Sequence, residues 1–268
     1  MRRVRQRASG DAGYWDAAIS SFSKEETNAV WRAHSDAVNA ALLSPWLPRG
    51  QVDRLLKTDA FEEAVAAGLY PVLAPHARRV TLIDVSGAAL DAARTRYPAV
   101  ETVLADAREL PFEDGSFEVV VSTSTLDHFR SLEDIAAGLW ELHRVLRPGG
   151  ELLLTLDNRA NPVVALRNAL PYSLLERLHL VPMYVGATCG PCRLRRLLVD
   201  AGFETREVCA ALHCPRALAV FAAGVVARAS SPAAERRLLR LLRSFESLER
   251  LPTRYLTGYF VAARARRR

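Results

Sequence analysis

Four polar clusters close short apolar runs in this chain: Lys57-Thr58-Asp59, Asp84-Val85-Ser86, Ala105-Asp106-Ala107 and Ser122-Thr123-Ser124. Their side chains describe a nucleoside pocket. A carboxylate such as Asp84 can accept both hydroxyls of a ribose, and one such as Asp106 can accept from an adenine amine. Asp127-His128 follows the fourth cluster, with His128 a candidate general base and Asp127 beside it. The alternative for His128 is a wall of the pocket or a helix entry. Tyr14 and Trp15 offer aromatic faces that could close over a ligand or simply pack.

Cys189-Gly190-Pro191-Cys192 has the spacing of a redox dithiol. Pro191 is also the residue expected in the first turn of a helix, and that reading fits the surrounding pattern better. Cys209, His213 and Cys214 could approach the pair across one end of a sheet, yet their spacing matches no standard zinc site, so no metal is expected.

These residues need elements to position them. Strand-like runs occupy Arg54–Asp59, Arg79–Ser86, Glu101–Asp106, Phe117–Ser124 and Glu151–Asp157, with further strands near Phe203–Leu212 and Thr257–Ala265. Helical stretches separate most of them. The clearest is begun by Ser131 with Asp134 three residues on, repeats Leu132, Ile135, Leu139, Leu142 and Leu146, and is stopped by Pro148-Gly149-Gly150. Alternating strands and helices predict an α/β fold with a doubly wound, mostly parallel seven-stranded sheet. The expected organisation is a basic arm over 1–12, a helical cap over 13–50 and a main domain over 51–268, with lid inserts at 161–188 and 213–254.

The motifs, taken in order, resemble the class I S-adenosylmethionine-dependent methyltransferases. Val80-Thr81-Leu82-Ile83-Asp84-Val85-Ser86, Leu104-Ala105-Asp106-Ala107 with Leu110-Pro111-Phe112, Asp114–Val121, and Leu142–Glu151 carry the likeness. The resemblance implies a Rossmann-like fold and S-adenosylmethionine as cofactor. Asp84 would hold the ribose and Asp106 the adenine, with Val85 and Ala107 flanking the ring and Thr58 and Ser122 lining the cleft. The departure lies after the first strand. Where the family has a glycine-rich loop, this chain reads Lys57-Thr58-Asp59-Ala60-Phe61-Glu62-Glu63. On this reading Lys57 pairs with the methionine carboxylate of the cofactor and Asp59 with its ammonium. The same loop lacks the G-x-G-x-x-G of a dinucleotide site, which removes nicotinamide and flavin enzymes.

Composition sets outer bounds. With 50% hydrophobic and 25% charged residues among 268, the chain reads as globular, and no apolar run approaches a membrane span. The net charge of +6 is concentrated in Arg2, Arg3, Arg5, Arg7, Arg264, Arg266, Arg267 and Arg268, read as solvated arms, so the body has no DNA-binding footprint. No apolar leader follows the first arginines, and a cytoplasmic protein is expected. The helix carrying Leu238, Leu241, Leu242, Phe245 and Leu248 against Arg236, Arg237, Arg240 and Arg243 could pack as a lid or rest on an anionic membrane. The function expected is methylation of a small, partly apolar acceptor. A scaffold that has lost the cofactor is the alternative from another class, and an RNA methyltransferase using the arginine arms is a third.

Overall fold

The computed structural model describes residues 12–20, 22, 29–178, 181, 183–229 and 231–268. The expected basic arm falls outside these residues except for its last position. The seven strands are β1 (Val52–Lys57), β2 (Ala77–Asp84), β3 (Glu101–Leu104), β4 (Phe117–Thr123), β5 (Leu146–Asp157), β6 (Phe203–Ala211) and β7 (Phe260–Arg267). They form one sheet in the order β3-β2-β1-β4-β5-β7-β6. All neighbours are parallel except β7, which runs antiparallel to β5 and to β6. The order reverses between β1 and β4, so the carboxyl ends of β1, β2 and β4 bound the crevice where an open α/β sheet takes its ligand.

The sheet is buried on both faces because its strands alternate apolar side chains between two cores. Leu56, Ile83, Val120, Leu152 and Leu154 face one core, which is completed by α5 (Leu132–Val145) and α8 (Pro191–Asp200). Leu55, Leu82, Val119, Val121 and Leu153 face the other, against α2 (Phe61–Val65), α4 (Gly87–Arg96) and Trp46. The period-two alternation of a strand buried on both faces accounts for this division. Ser131 caps α5 as expected: its Oγ accepts from Asp134 N at 3.1 Å. Ser86 caps α4 in the same way, accepting from Ala89 N.

A third apolar cluster joins the inserts to α1 (Ala29–Leu43). Val38 of α1 meets Val164 of α6 (Pro162–Ala169), Ala219 of α9 (Arg216–Arg228) and Leu242 of α10 (Pro232–Ser244). Leu238 and Phe245 pack against this cluster, so most of the amphipathic face of α10 is spent on packing. No helix among the described residues is long and apolar enough to cross a membrane.

Several sequence readings need correction. Pro148-Gly149-Gly150 does not end α5, which stops at Val145; it lies inside β5, beside a register shift between Phe117 and Val119. A Cβ at Gly150 would lie 2.9 Å from both Arg147 O and Glu118 O, so this irregular stretch leaves no room for a side chain. The last strand starts at Phe260, not Thr257, because a short turn of helix, α11 (Arg254–Thr257), precedes it. Arg264, Arg266 and Arg267 are therefore not a solvated arm: they belong to β7, where Arg264 pairs with Glu151 at 3.0 Å and Arg267 Nη1 donates to Arg144 O at 2.7 Å. Cys189, Cys209 and Cys214 sit in three separate apolar clusters, and burial pushes each thiol up to about 12. Cys189, beside Asn158, and Cys209 and Cys214, at and just past the end of β6, do share the carboxyl end of the sheet, but in different apolar surroundings.

Candidate active site

Asp84 ends β2 half-buried at the rim of the crevice. One carboxylate oxygen accepts from Ala60 N at 3.0 Å and the other from Ser86 N at 2.9 Å, which leaves each with a free lone pair. Burial pushes the group up to about 6, although the two N–H donors oppose the shift. Val85 beside it is also half-buried. Asp106, only 8% exposed, is gripped by Arg108 through Nε at 2.9 Å and Nη2 at 2.6 Å, and Arg108 bridges onward to Asp134 at 3.3 Å. Ala107 is buried behind it. Arg108 also stacks over the Phe129 ring at 4.6 Å, a contact that sequence reasoning missed.

The end of β1 departs from expectation. Lys57 has no exposed surface; its Nζ donates to Glu63 Oε2 at 2.9 Å and sits 3.0 Å from Asp59 Oδ1. Burial disfavours its charge, but Asp59 and Glu63 outweigh that penalty and hold the ammonium above its usual range. Glu63 in turn accepts from Leu69 N and Tyr70 N, which ties the loop to the segment after α2. Lys57 is thus committed to an internal ion pair, and its expected contact with a ligand carboxylate does not fit this geometry. Asp59 keeps 16% of its side chain exposed and accepts from Thr125 Oγ1 at 3.3 Å. Thr58 Oγ1 lies 2.9 Å from both Ser122 Oγ and Thr125 Oγ1, a hydroxyl cluster that braces β1 against β4.

Beyond β4 the two members of Asp127-His128 separate. Asp127 is 2% exposed and turns under the sheet ends, accepting from Asp157 N at 2.7 Å and from Ser124 Oγ at 3.0 Å. Burial, reinforced by Asp157, pushes it up to about 6. A direct role on substrate does not fit this position; Asp127 instead joins β4 to β5. Ser124 adopts φ of 50°, a left-handed conformation that aims its hydroxyl at Asp127. His128 remains half-buried, with Nδ1 2.9 Å from Tyr184 O. A carbonyl partner requires Nδ1 to donate, so Nε2 of the neutral ring is left as the basic nitrogen.

Residues 12–20 are helical and lie across this end of the sheet. Trp15 packs edge-on against His128 at 4.8 Å and against Phe61 at 6.2 Å. Asp16 Oδ1 accepts from Ser86 Oγ at 2.5 Å and from Ala88 N at 3.3 Å, which anchors the segment at the start of α4. Tyr14 OH accepts from Tyr184 N at 2.6 Å. The aromatic pair thus bridges the cap to the first insert; the sequence named it without revealing Asp16, whose anchor depends on a contact seventy residues away. A cavity of about 280 Å3 between Pro48, Val52 and Pro148–Glu151 lies at the opposite, amino end of β1 and is remote from these groups.

Residues 65–154 match the family model described as a methyltransferase domain. A Mycobacterium tuberculosis protein described as a "Probable S-adenosylmethionine-dependent methyltransferase" is 31% identical over 178 residues, which cover 64% of this chain and 60% of that relative. The match therefore spans less than two thirds of the relative's length. Among solved structures, geranyl diphosphate C-methyltransferase from Streptomyces coelicolor, crystallised with S-adenosyl-L-homocysteine, superposes with a TM-score of 0.54 at 13% identity, covering 87% of this chain and 76% of the other. The [4+2]-cyclase SpnF superposes with a TM-score of 0.57 at 19% identity, covering 85% and 79%. Both structures establish likeness of fold alone. These matches show that residues 65–154 are similar to a methyltransferase domain and that the sheet has the fold of the solved methyltransferase structures.

The crevice meets the chemical demands of S-adenosylmethionine unevenly. Asp84 has acceptor capacity for a ribose diol and keeps part of its surface exposed. At the rebuilt loop Asp59, with part of its side chain exposed, is a carboxylate suited to a sulfonium or an ammonium. Glu62 Oε2 is buried with no hydrogen-bond partner, and burial raises its carboxyl well above the usual range. Such an orphaned group is the kind a ligand donor or acceptor would satisfy.

Proposed function

We propose that the protein transfers a methyl group from S-adenosylmethionine to a small, partly apolar acceptor. The observation that carries this reading is Asp84, half-open at the end of β2 with one lone pair free on each oxygen. When bound, the cofactor supplies an electrophilic methyl on a sulfonium. Asp84 holds the ribose, Val85 and Ala107 flank the adenine, and Asp106 with Arg108 forms its polar edge. Asp59 faces the positive end. Trp15 and Tyr14 exclude water, and His128 Nε2 receives the proton of a poor nucleophile. Lys57 shapes the loop and makes no ligand contact.

Isothermal titration calorimetry with S-adenosylmethionine and S-adenosylhomocysteine tests the reading. Binding should be measurable in the micromolar range and fall about tenfold or more in Asp84→Ala, since hydrogen bonds to a charged group contribute roughly 1.5–3 kcal/mol. Absence of binding by folded protein at millimolar cofactor would overturn it. The alternative of a fold that no longer methylates draws support from the Lys57–Glu63 pair, which stands where the family keeps glycines, and a fold neighbour named as a cyclase shows that the scaffold admits other chemistry. A methylated product from any acceptor eliminates that alternative. The RNA reading loses its C-terminal arginines, which are in β7.

A further inference from the structure

Arg216 is a cation without a carboxylate of its own. It opens α9 beside the carboxyl ends of β5 and β6, half-buried, with its guanidinium 4.7 Å over the Tyr259 ring and 5.9 Å from that of Trp31. No carboxylate among the described residues lies within ion-pair reach of it, although Asp157 and Asp127 contribute to its electrostatic environment. Both are already engaged. Asp157 Oδ2 is paired with Arg167 Nη2 at 2.7 Å, and Asp127 takes Asp157 N and Ser124 Oγ. Arg167 uses its other terminal nitrogen on Tyr259 OH at 2.6 Å and its Nε on Asn168 Oδ1 at 3.0 Å. The network therefore gives one guanidinium a carboxylate and leaves the second with the Tyr259 hydroxyl and ring as its polar and aromatic partners.

Desolvating a charge without a counter-charge is costly, so a half-buried, aromatic-flanked guanidinium is most stable when something brings it an anion. Its planar fork matches a carboxylate or phosphate with two parallel hydrogen bonds. The cluster around it is otherwise apolar: Val38, Val164, Leu212 and Phe260 lie in the same core as Tyr259, with Trp31 against it. Asp157 and Asp127 link this position directly to the end of β4, one residue from His128.

We propose that Arg216 is an oxyanion-binding position for the methyl acceptor, which carries a carboxylate or phosphate on an apolar body. This rests on the methyltransferase reading for the word acceptor, but the anion site itself can be tested without any methyl transfer. The experiment is calorimetric titration of the full chain with inorganic phosphate and, separately, with octanoate, using wild type, R216Q, R216K and the distal control R236Q. Octanoate should bind wild type and R236Q alike, with affinity reduced about tenfold in R216Q, the loss expected for one charged bidentate contact. R216K, which keeps the charge and loses the fork, should fall between them and serves in place of R216Q should that variant not fold. Binding of phosphate alone with the same mutational pattern assigns the group to a phosphate ester; octanoate binding assigns it to a carboxylate with an apolar tail. Equal affinity in wild type, R216Q and R216K, an equal loss in R236Q, or no binding of either probe at tens of millimolar overturns the proposal. S-adenosylhomocysteine titrated into R216Q separates the two readings: retained cofactor affinity with lost octanoate affinity supports both, whereas failure of wild type to bind the cofactor sinks the methyltransferase reading and leaves the anion result to stand on its own.

Discussion

Lys57 and Glu63 form an ion pair with neither side chain exposed, so each depends on the other for its charge. Truncating one partner should be severe: Glu63→Ala or Lys57→Met is expected to lower stability by about 3–5 kcal/mol in urea titrations, while the double replacement Lys57→Met with Glu63→Leu should recover much of that loss. A loss below about 1 kcal/mol for either single variant would show that the pair is solvated. Asp127 gives a pH signature. Its carboxyl is raised from 3.8 to about 6 in the folded chain, so the folded state holds a proton that the unfolded state releases between those values. That contribution is fully present below the lower value and is lost as pH rises through the upper one. Asp127→Asn should therefore remove a downward slope in stability of up to about 1.4 kcal/mol per pH unit across this window, followed by urea unfolding at successive pH. For His128, replacement by Asn should lower turnover by about 10²–10⁴-fold with cofactor affinity unchanged, measured once an acceptor is in hand. A fall in cofactor affinity instead would make it a wall of the pocket.

At the scale of elements, local signals were the most readable. Ser131 with Asp134 marked the start of α5 and Pro191 that of α8, because capping and a first-turn proline act within one turn of chain. Ser131→Ala should cost about 1 kcal/mol in thermal or urea unfolding, and no change would mean the cap is dispensable. Strand ends were less legible. Pro148-Gly149-Gly150 has the composition of a turn, and only pairing with β4 across the register shift keeps it in β5. The arginines of β7 look like a solvated arm until Glu151, Gly149 O, Arg144 O and Leu146 O are seen to receive them. Their partners lie more than a hundred residues away, beyond any local pattern.

Across the whole molecule, the mostly parallel seven-stranded sheet and the placement of Asp84 and Asp106 at strand ends were legible in the order and spacing of local motifs. The pairing of Asp106 with Arg108, the burial of Lys57 and the inward turn of Asp127 did not, because each is decided by which neighbour reaches a charge first in three dimensions. The same limit hid Arg216, whose significance lies in Asp157 having been claimed by Arg167.

β7 follows every other strand in sequence yet stands between β5 and β6, and β6 has no other neighbour in the sheet. During synthesis, then, β6 leaves the ribosome with nowhere to dock and waits for residues 260–267 before it can join the rest. A transcript cut short upstream of Phe260 would release a chain carrying an unsatisfied edge on β5 and an orphan hairpin half, prone to self-association rather than to partial activity.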